Sequence, residues 1–281
     1  MGWLVPGNIV DRLATIPGFT RVGQPSALRT QLQFNTASPP LRDLVVRQAL
    51  RLATDRATLL RKVEHEPGYL SEAALGPLVT DAVSISAEPY DPKRAAAMLE
   101  AAGWIAGADG VRAKNGVRLA IDIATITGNP ERDTWAVLIQ SWWSAIGVRA
   151  NVKHYPPSVL FGAYAASGIF TRGDYTASID QQSYGVSGAS NALIFACNQF
   201  PPAGFNVVRY CDPKLDALME RLDASYDPAF RKATLASIQR TIADAAPIVT
   251  LFFPSDNFVY NADLRNVGSF ANLDDAYRWS M

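Results

Sequence analysis

VRLAIDIATITGNPERDTWAVLIQSWWSAIGVRANVKHYPPSVLFGAYAASGIFTRGDYTASIDQQSY, residues 117–184, holds three strand patterns separated by two helical ones. At its start Val117, Leu119, Ile121 and Ile123 alternate with polar or small residues, the two-residue period of a strand with one buried face. Asn129 then caps a helix that Pro130 opens and Gly147 stops, with Trp135, Leu138, Ile139, Trp142 and Ile146 as its apolar face. Trp135 and Trp142 are expected in the core and Trp143 towards solvent or another lobe. A second strand is predicted over 148–154, a shorter helix over about 157–167 and a third strand over 175–181. This βαβαβ order with short connections predicts an α/β fold of three parallel strands covered by helices. Ligands of open sheets sit beyond the carboxyl ends of the strands. Here those ends are 125–129, 155–157 and, above all, 181–191.

Composition narrows the function classes. The 281 residues carry 26 basic and 26 acidic side chains with no basic run, a poor match to nucleic acid or anionic membrane. The apolar run 248–254 is far shorter than the roughly 20 residues that span a bilayer. The opening MGWLVPGNIVDRL lacks a basic segment followed by an apolar core and does not read as a secretory signal.

The two cysteines, Cys197 and Cys211, flank NQFPPAGFNVVRY. Pro201, Pro202 and Gly204 can turn that loop back on itself, so a disulfide is expected in an oxidising compartment; two free thiols in a reducing one is the alternative. A metal site from this pair is disfavoured by the spacing and by the lack of nearby histidines.

Elsewhere, residues 1–34 show a helical patch around Ile9 to Leu13, a turn at Pro17-Gly18 and the extended LRTQLQFNT, too little for a core of their own. PPLRDLVVRQALRLATDRATLLRKV (39–63) reads as a helix with Val45, Ala49, Leu52 and Ala53 on one face and Asp55 breaking or recapping it. Residues 66–88 read as loop. Asp-Pro opens helices at Asp91-Pro92, Asp212-Pro213 and Asp227-Pro228. The first ends at Gly103, the second is apolar at Leu215, Leu218, Met219 and Leu222, and the last uses Phe230, Leu235, Ile238 and Ile242. PIVTLFFP (247–254) reads as a buried strand.

Five of these stretches in order give a resemblance to a family. They are FNTASPPLRDLVVRQALRLATDR (34–56), YDPKRAAAMLEAAGW (90–104), the 140–148 segment ending in IGV, RYCDPKLDALM (209–219) and APIVTLFF (246–253). The chain resembles the C-terminal half of the bacterial extracellular solute-binding proteins of family 5, the dipeptide-, oligopeptide- and nickel-type receptors of ABC importers. The resemblance implies a type II periplasmic-binding-protein-like lobe and remnants of a second. Residues 1–39 would be a first-lobe remnant with the crossing strand, 40–245 the ligand-binding lobe, and 246–281 the return strand with the rest of the first lobe. It further implies a truncated, non-enzymatic periplasmic receptor without a cofactor, whose leader and N-terminal lobe are absent from this chain. Its partners would be a peptide or other small polar solute and the permease subunits. Relatives carry peptides, nickel chelates, sugars and opines.

The expected ligand contacts are Gln181, Gln182, Tyr184, Ser187 and Asn191 in DQQSYGVSGASN (180–191), with Asn35 near the hinge. Peptide-binding relatives place a tryptophan and an acid there. The matched positions here read Gln182 and about Gly185 to Ser187, without a carboxylate, while Asp180 sits inside the strand end. Two rival readings are an interaction module that oligomerises through an exposed face and a serine hydrolase using Ser187. GVSGA lacks the last glycine of the nucleophile turn, and His65 and His154 both precede Ser187, against that fold's order. His154, at the end of a strand, is expected as a solvated surface histidine.

Overall fold

The computed structural model describes residues 7–63, 68–79, 81–183 and 191–266. In chain order they form α1 (Gly7–Ala14), β1 (Phe19–Pro25), β2 (Leu28–Phe34), α2 (Pro39–Arg42), α3 (Leu44–Leu52), α4 (Arg56–Thr58) and a π-helical turn, Leu59–Val63. Next come α5 (Pro92–Ala101), the short strands β3 (Ile105–Ala106), β4 (Arg112–Lys114) and β5 (Val117–Arg118), then β6 (Ala120–Ile126), α6 (Pro130–Ala145) and β7 (Arg149–Tyr155). The remainder is α7 (Pro157–Leu160), α8 (Ile169–Arg172), β8 (Ala177–Ser183), α9 (Ala192–Phe195), α10 (Pro213–Asp223), α11 (Pro228–Ala245), β9 (Ile248–Phe252) and β10 (Ser255–Asn261).

The expected βαβαβ unit is present, with β6 parallel to both β7 and β8. It is part of a larger mixed sheet of order β7-β6-β8-β2-β9, in which β2 runs antiparallel to β8 and to β9. The expected boundaries at 39/40 and 245/246 fall in α2 and at the end of α11, so β2 and β9 lie outside them in the chain yet belong to this sheet. Beyond them the chain continues as a two-stranded ribbon, β1 with β10, paired from Phe19↔Asn261 to Pro25↔Ser255. The segment without a core of its own thus supplies a central strand.

Local chemistry accounts for most boundaries. Asp91, Asp212 and Asp227 each accept a first-turn backbone N–H, with proline next in sequence. Asn129 does the same for α6, accepting from Arg132 N at 2.9 Å. Asp55 recaps the predicted 39–63 helix by accepting from Thr58 N at 3.0 Å, and Asp43 interrupts it earlier by capping α3. Of the expected face, Ala49, Leu52 and Ala53 are buried, whereas Val45 is only partly so and Val46 and Leu50 join the buried side.

Three further expectations are corrected. The strand predicted from Val117 is two, because β5 turns away to pair with β4 before β6 enters the sheet. The predicted 157–167 helix is broken into α7, a 3-10 turn at Tyr164–Ala166 and α8. Gly162 and Gly168 make the close approach there: a Cβ on Gly168 would lie 1.8 Å from Gly162 O. On α6, Trp135, Ile139 and Ile146 are buried as expected, but Trp143 is fully buried while Trp142 is only partly so. Trp143 meets Phe34 with ring centroids 6.2 Å apart and planes tilted by 45°, and Trp135 meets Phe252 edge-on at 5.6 Å.

The main core lies between α3, α5, α6 and one sheet face, with Leu32, Phe34, Ile121, Ile123, Ile179 and Val249 from the strands. A second cluster joins α10, α11 and the 74–79 loop. The chain on either side of that loop is held by a buried ion pair, Arg56 Nη2 to Glu72 Oε1 at 2.6 Å, and by Arg51 to Glu88 at 2.8 Å. Cys197 and Cys211 are joined as a disulfide, their Cα atoms 4.6 Å apart.

Candidate ligand-binding site

A strand buried on both faces is expected to be apolar throughout. β2 is not: Arg29, Gln31 and Gln33 alternate with Thr30, Leu32 and Phe34, and all six are buried. Thr30, Leu32 and Phe34 share one parity, and Leu32 and Phe34 belong to the main core. Arg29, Gln31 and Gln33 share the other, opposite Gln182, Asp180 and Ser178 of β8. A polar band thus crosses the middle of the sheet.

Most of the band is satisfied internally. Gln182 Oε1 accepts from Arg29 Nη2 at 3.1 Å and from Gln31 Nε2 at 3.2 Å. Arg29 Nε donates to Gln31 Oε1 at 2.7 Å, and Arg29 Nη1 donates to Ala74 O. Gln33 Nε2 donates to Asp180 Oδ2 at 2.7 Å. The remaining Asp180 oxygen, Oδ1, has no hydrogen-bond partner among the described residues. Burial pushes the Asp180 carboxyl up to about 6, against the lowering influence of Gln31, Gln33, Arg132 and Arg29.

Arg132 completes the cluster. The pairing Ala124↔Ser178 brings Asp180 level with Ile126, the last residue of β6. Arg132 lies in the first turn of α6, which begins beyond that same end. It is 8% exposed, and its Nε and Nη1 are without partners among the described residues. The charges of Asp180 and Arg132 influence one another, although the two form no ion pair. This arrangement can recognise polar and charged groups. Among the described residues no group of three or more His, Cys, Asp or Glu is disposed to hold a metal ion.

The sequence-predicted contacts are dispersed. Gln182 lies in the band, and Gln181 Nε2 donates to Thr30 Oγ1 at 3.2 Å. Asn191 precedes α9 in a left-handed conformation, and its Nδ2 is unpartnered among the described residues. Tyr184 and Ser187 lie outside the described residues, as does His65. Asn35 stands at the opposite end of the sheet, its Nδ2 donating to Gly173 O and Tyr175 O, both at 2.9 Å. Its Oδ1 accepts from Ala37 N at 3.1 Å, so the side chain staples backbone and is not near Gln181. His154 Nε2 lies 2.8 Å from Asp133 Oδ1 on the exposed surface.

Sequence reading missed Arg29, Gln31, Gln33 and Arg132. The alternation in LRTQLQF was a signal for the first three once β2 is central. Arg132 was marked by its position, since the first turn of a helix favours acidic rather than basic side chains.

Residues 3–200 match bacterial extracellular solute-binding proteins, family 5 Middle. The chain belongs to this family. It is 26% identical over 278 residues to the nickel-binding periplasmic protein of Escherichia coli K12, covering 94% of this chain and 51% of that protein. To the oligopeptide-binding protein AppA of Bacillus subtilis it is 25% identical over 236 residues, covering 82% and 42%. The solved structure of Bacillus subtilis AppA with a nonapeptide superposes with a TM-score of 0.83 at 22% identity, covering 99% of this chain and 55% of that one. NikZ from Campylobacter jejuni in complex with Ni(L-His) gives 0.80 at 22% identity, covering 99% and 57%. The fold is therefore the type II periplasmic-binding-protein-like α/β fold, and the chain spans about half the length of the relatives it matches. Family 5 is a family of extracellular or periplasmic, non-enzymatic solute-binding proteins.

Proposed function

We propose that this chain is the ligand-binding half of the solute-binding component of an ABC importer, taking up a peptide or other small polar solute and delivering it to a membrane permease. The observation that carries this reading is the cluster beside the carboxyl end of β6 and midway along β8, in a member of the solute-binding family, where buried polar groups of Asp180 and Arg132 lack partners among the described residues. Residues 40–245, with β2 and β9, form the lobe that holds the solute. A second lobe closes over it by bending at 26–27 and 253–254, where the ribbon leaves the sheet, and bound solute favours the closed form. The protein works in the periplasm, where the Cys197–Cys211 disulfide is stable, and carries out no catalysis of its own.

Native mass spectrometry tests this on the chain freed of ligand by unfolding and refolding, beside a longer form with an upstream lobe joined to it. Both are offered a dipeptide pool, nickel–histidine and a sugar pool. An adduct of defined mass on either form is expected. No adduct on either, with both folded by circular dichroism, sinks the reading.

A further inference from the structure

We propose that segment 68–79 is a built-in stop for the hinge: it braces one of the two strands that leave the sheet, at Tyr69–Phe253, and faces the ribbon across a cleft that is the room in which the ribbon swings. The inference rests on the lobe closure proposed above and names the part of this lobe that limits it.

The two strands are held unequally where they leave the sheet. Phe253, one residue past β9, is clamped by Tyr69 through both backbone bonds. Tyr69 N donates to Phe253 O at 3.0 Å and Phe253 N donates to Tyr69 O at 2.9 Å, with the ring centroids 5.9 Å apart. Gly68 makes this approach possible, since a Cβ there would lie 2.7 Å from Phe253 O. The next residue, Pro254, has no N–H to donate, and its carbonyl accepts from Ser26 N at 3.1 Å. Bending is thereby confined to the Ser26–Pro254 rung.

Segment 68–79 itself is tied to the lobe. Ala73 O accepts from Thr250 Oγ1 at 2.9 Å, Ala74 O accepts from Arg29 Nη1, and Glu72 pairs with Arg56. Between the segment and the ribbon lies a cleft of about 420 Å³, lined by Gly23 and Pro25 of β1, Tyr69 and Pro77 of the segment, and Pro254 at the joint. Close-packed surfaces resist continuous deformation, so relative motion of two rigid parts runs through open space and ends at contact. A ribbon turning about Ser26–Pro254 crosses this cleft and is arrested where Gly23 and Pro25 meet Tyr69 and Pro77.

Distance distributions between spin labels on the full chain provide the test. The labels are placed on Thr20→Cys in the ribbon and Ser86→Cys, next to Ile85, whose carbonyl accepts from Glu72 N in the segment. The parent is expected to show a spread of distances. Gln24→Trp, which fills the cleft from the ribbon, and Pro77→Trp, which fills it from the segment, are each expected to lose the shortest ones. Gly68→Ala, which pushes the segment off Phe253, is expected to add distances shorter than any in the parent. The proposal is overturned if both fillings keep the shortest distances while melting like the parent, or if Gly68→Ala leaves the spread unchanged. If Gln24→Trp does not fold, Pro77→Trp decides alone. One sharp distance in the parent and every variant overturns this inference and the hinge placement together, whereas a defined adduct in the mass spectrometry above would leave the solute-binding reading standing.

Discussion

The indole of Trp143 donates from Nε1 to Thr54 Oγ1 at 3.0 Å, joining α6 to the residues just after α3 inside the core. Thr54 Oγ1 in turn donates to Leu50 O at 2.7 Å. Thr54→Val keeps the shape and removes both bonds, leaving a buried indole N–H unpaired. A loss of about 1–3 kcal/mol in urea unfolding with an unchanged slope is expected. A change below 0.5 kcal/mol would show that the hydroxyl contributes little.

Asp180 makes stability depend on pH in the direction opposite to most acids. Facing it are Arg29, Gln31 and Gln33 of β2, Arg132 of α6 and Tyr175 just before β8, whose phenol is itself pushed up by burial and by the Asp180 charge. Its folded value of about 6 exceeds the unfolded value of about 3.9. Its contribution is therefore fully present below about pH 4 and is lost as pH rises through 6. Asp180→Asn has no such loss. Its unfolding free energy relative to the parent is expected to climb between those values and to level off at roughly 3 kcal/mol above pH 7. A flat difference across that range would contradict the assignment.

The Arg56–Glu72 pair calls for a different comparison. Glu72 Oε1 accepts from Arg56 Nη2 at 2.6 Å and from Glu88 N at 2.9 Å. Glu72→Gln strands a buried guanidinium, with an expected cost of about 3–5 kcal/mol. Replacing both residues, Arg56→Met with Glu72→Leu, is expected to recover much of that in thermal melts. A double variant as unstable as the single one would mean that the charges do more than neutralise each other.

The disulfide is expected to act through the unfolded chain. It closes a loop of separation 14 between Cys197 and Cys211. The paired substitution Cys197→Ser with Cys211→Ser is expected to lower stability by about 3 kcal/mol. Ellman titration of the denatured parent should find no thiol without reductant; two titratable thiols would refute the bond.

How far the sequence disclosed this molecule depends on the range of the signal. Local chemistry was readable: the caps Asp91, Asn129, Asp212 and Asp227 act as their spacing implies. The βαβαβ order and the burial of Ile121 and Ile123 followed from periodicity. Pairings across long stretches of chain were not readable. Nothing local in LRTQLQF says that it lies between β8 and β9, so the burial of Arg29, Gln31 and Gln33 went unseen. On α6 only the choice between Trp142 and Trp143 escapes the sequence, because they are adjacent and both apolar, leaving the helical period unable to choose; packing against Phe34 and Thr54 selects Trp143. At the site, DQQSYGVSGASN drew attention to amides along the chain, whereas the unsatisfied groups are a carboxylate at its first position and an arginine 48 positions earlier.

The position of β2 has a consequence for synthesis. Leu32 pairs with Ile179 on one side and with Val249 on the other. The strand therefore leaves the ribosome long before either neighbour exists, and the sheet cannot close until Phe252 has been made. Until then β2 has two open edges, the kind of exposed strand that invites wrong pairing. Its buried arginine and glutamines keep it from being a uniformly apolar ribbon during that wait. Closure over so long a loop makes late, slow sheet completion the expected final step of folding.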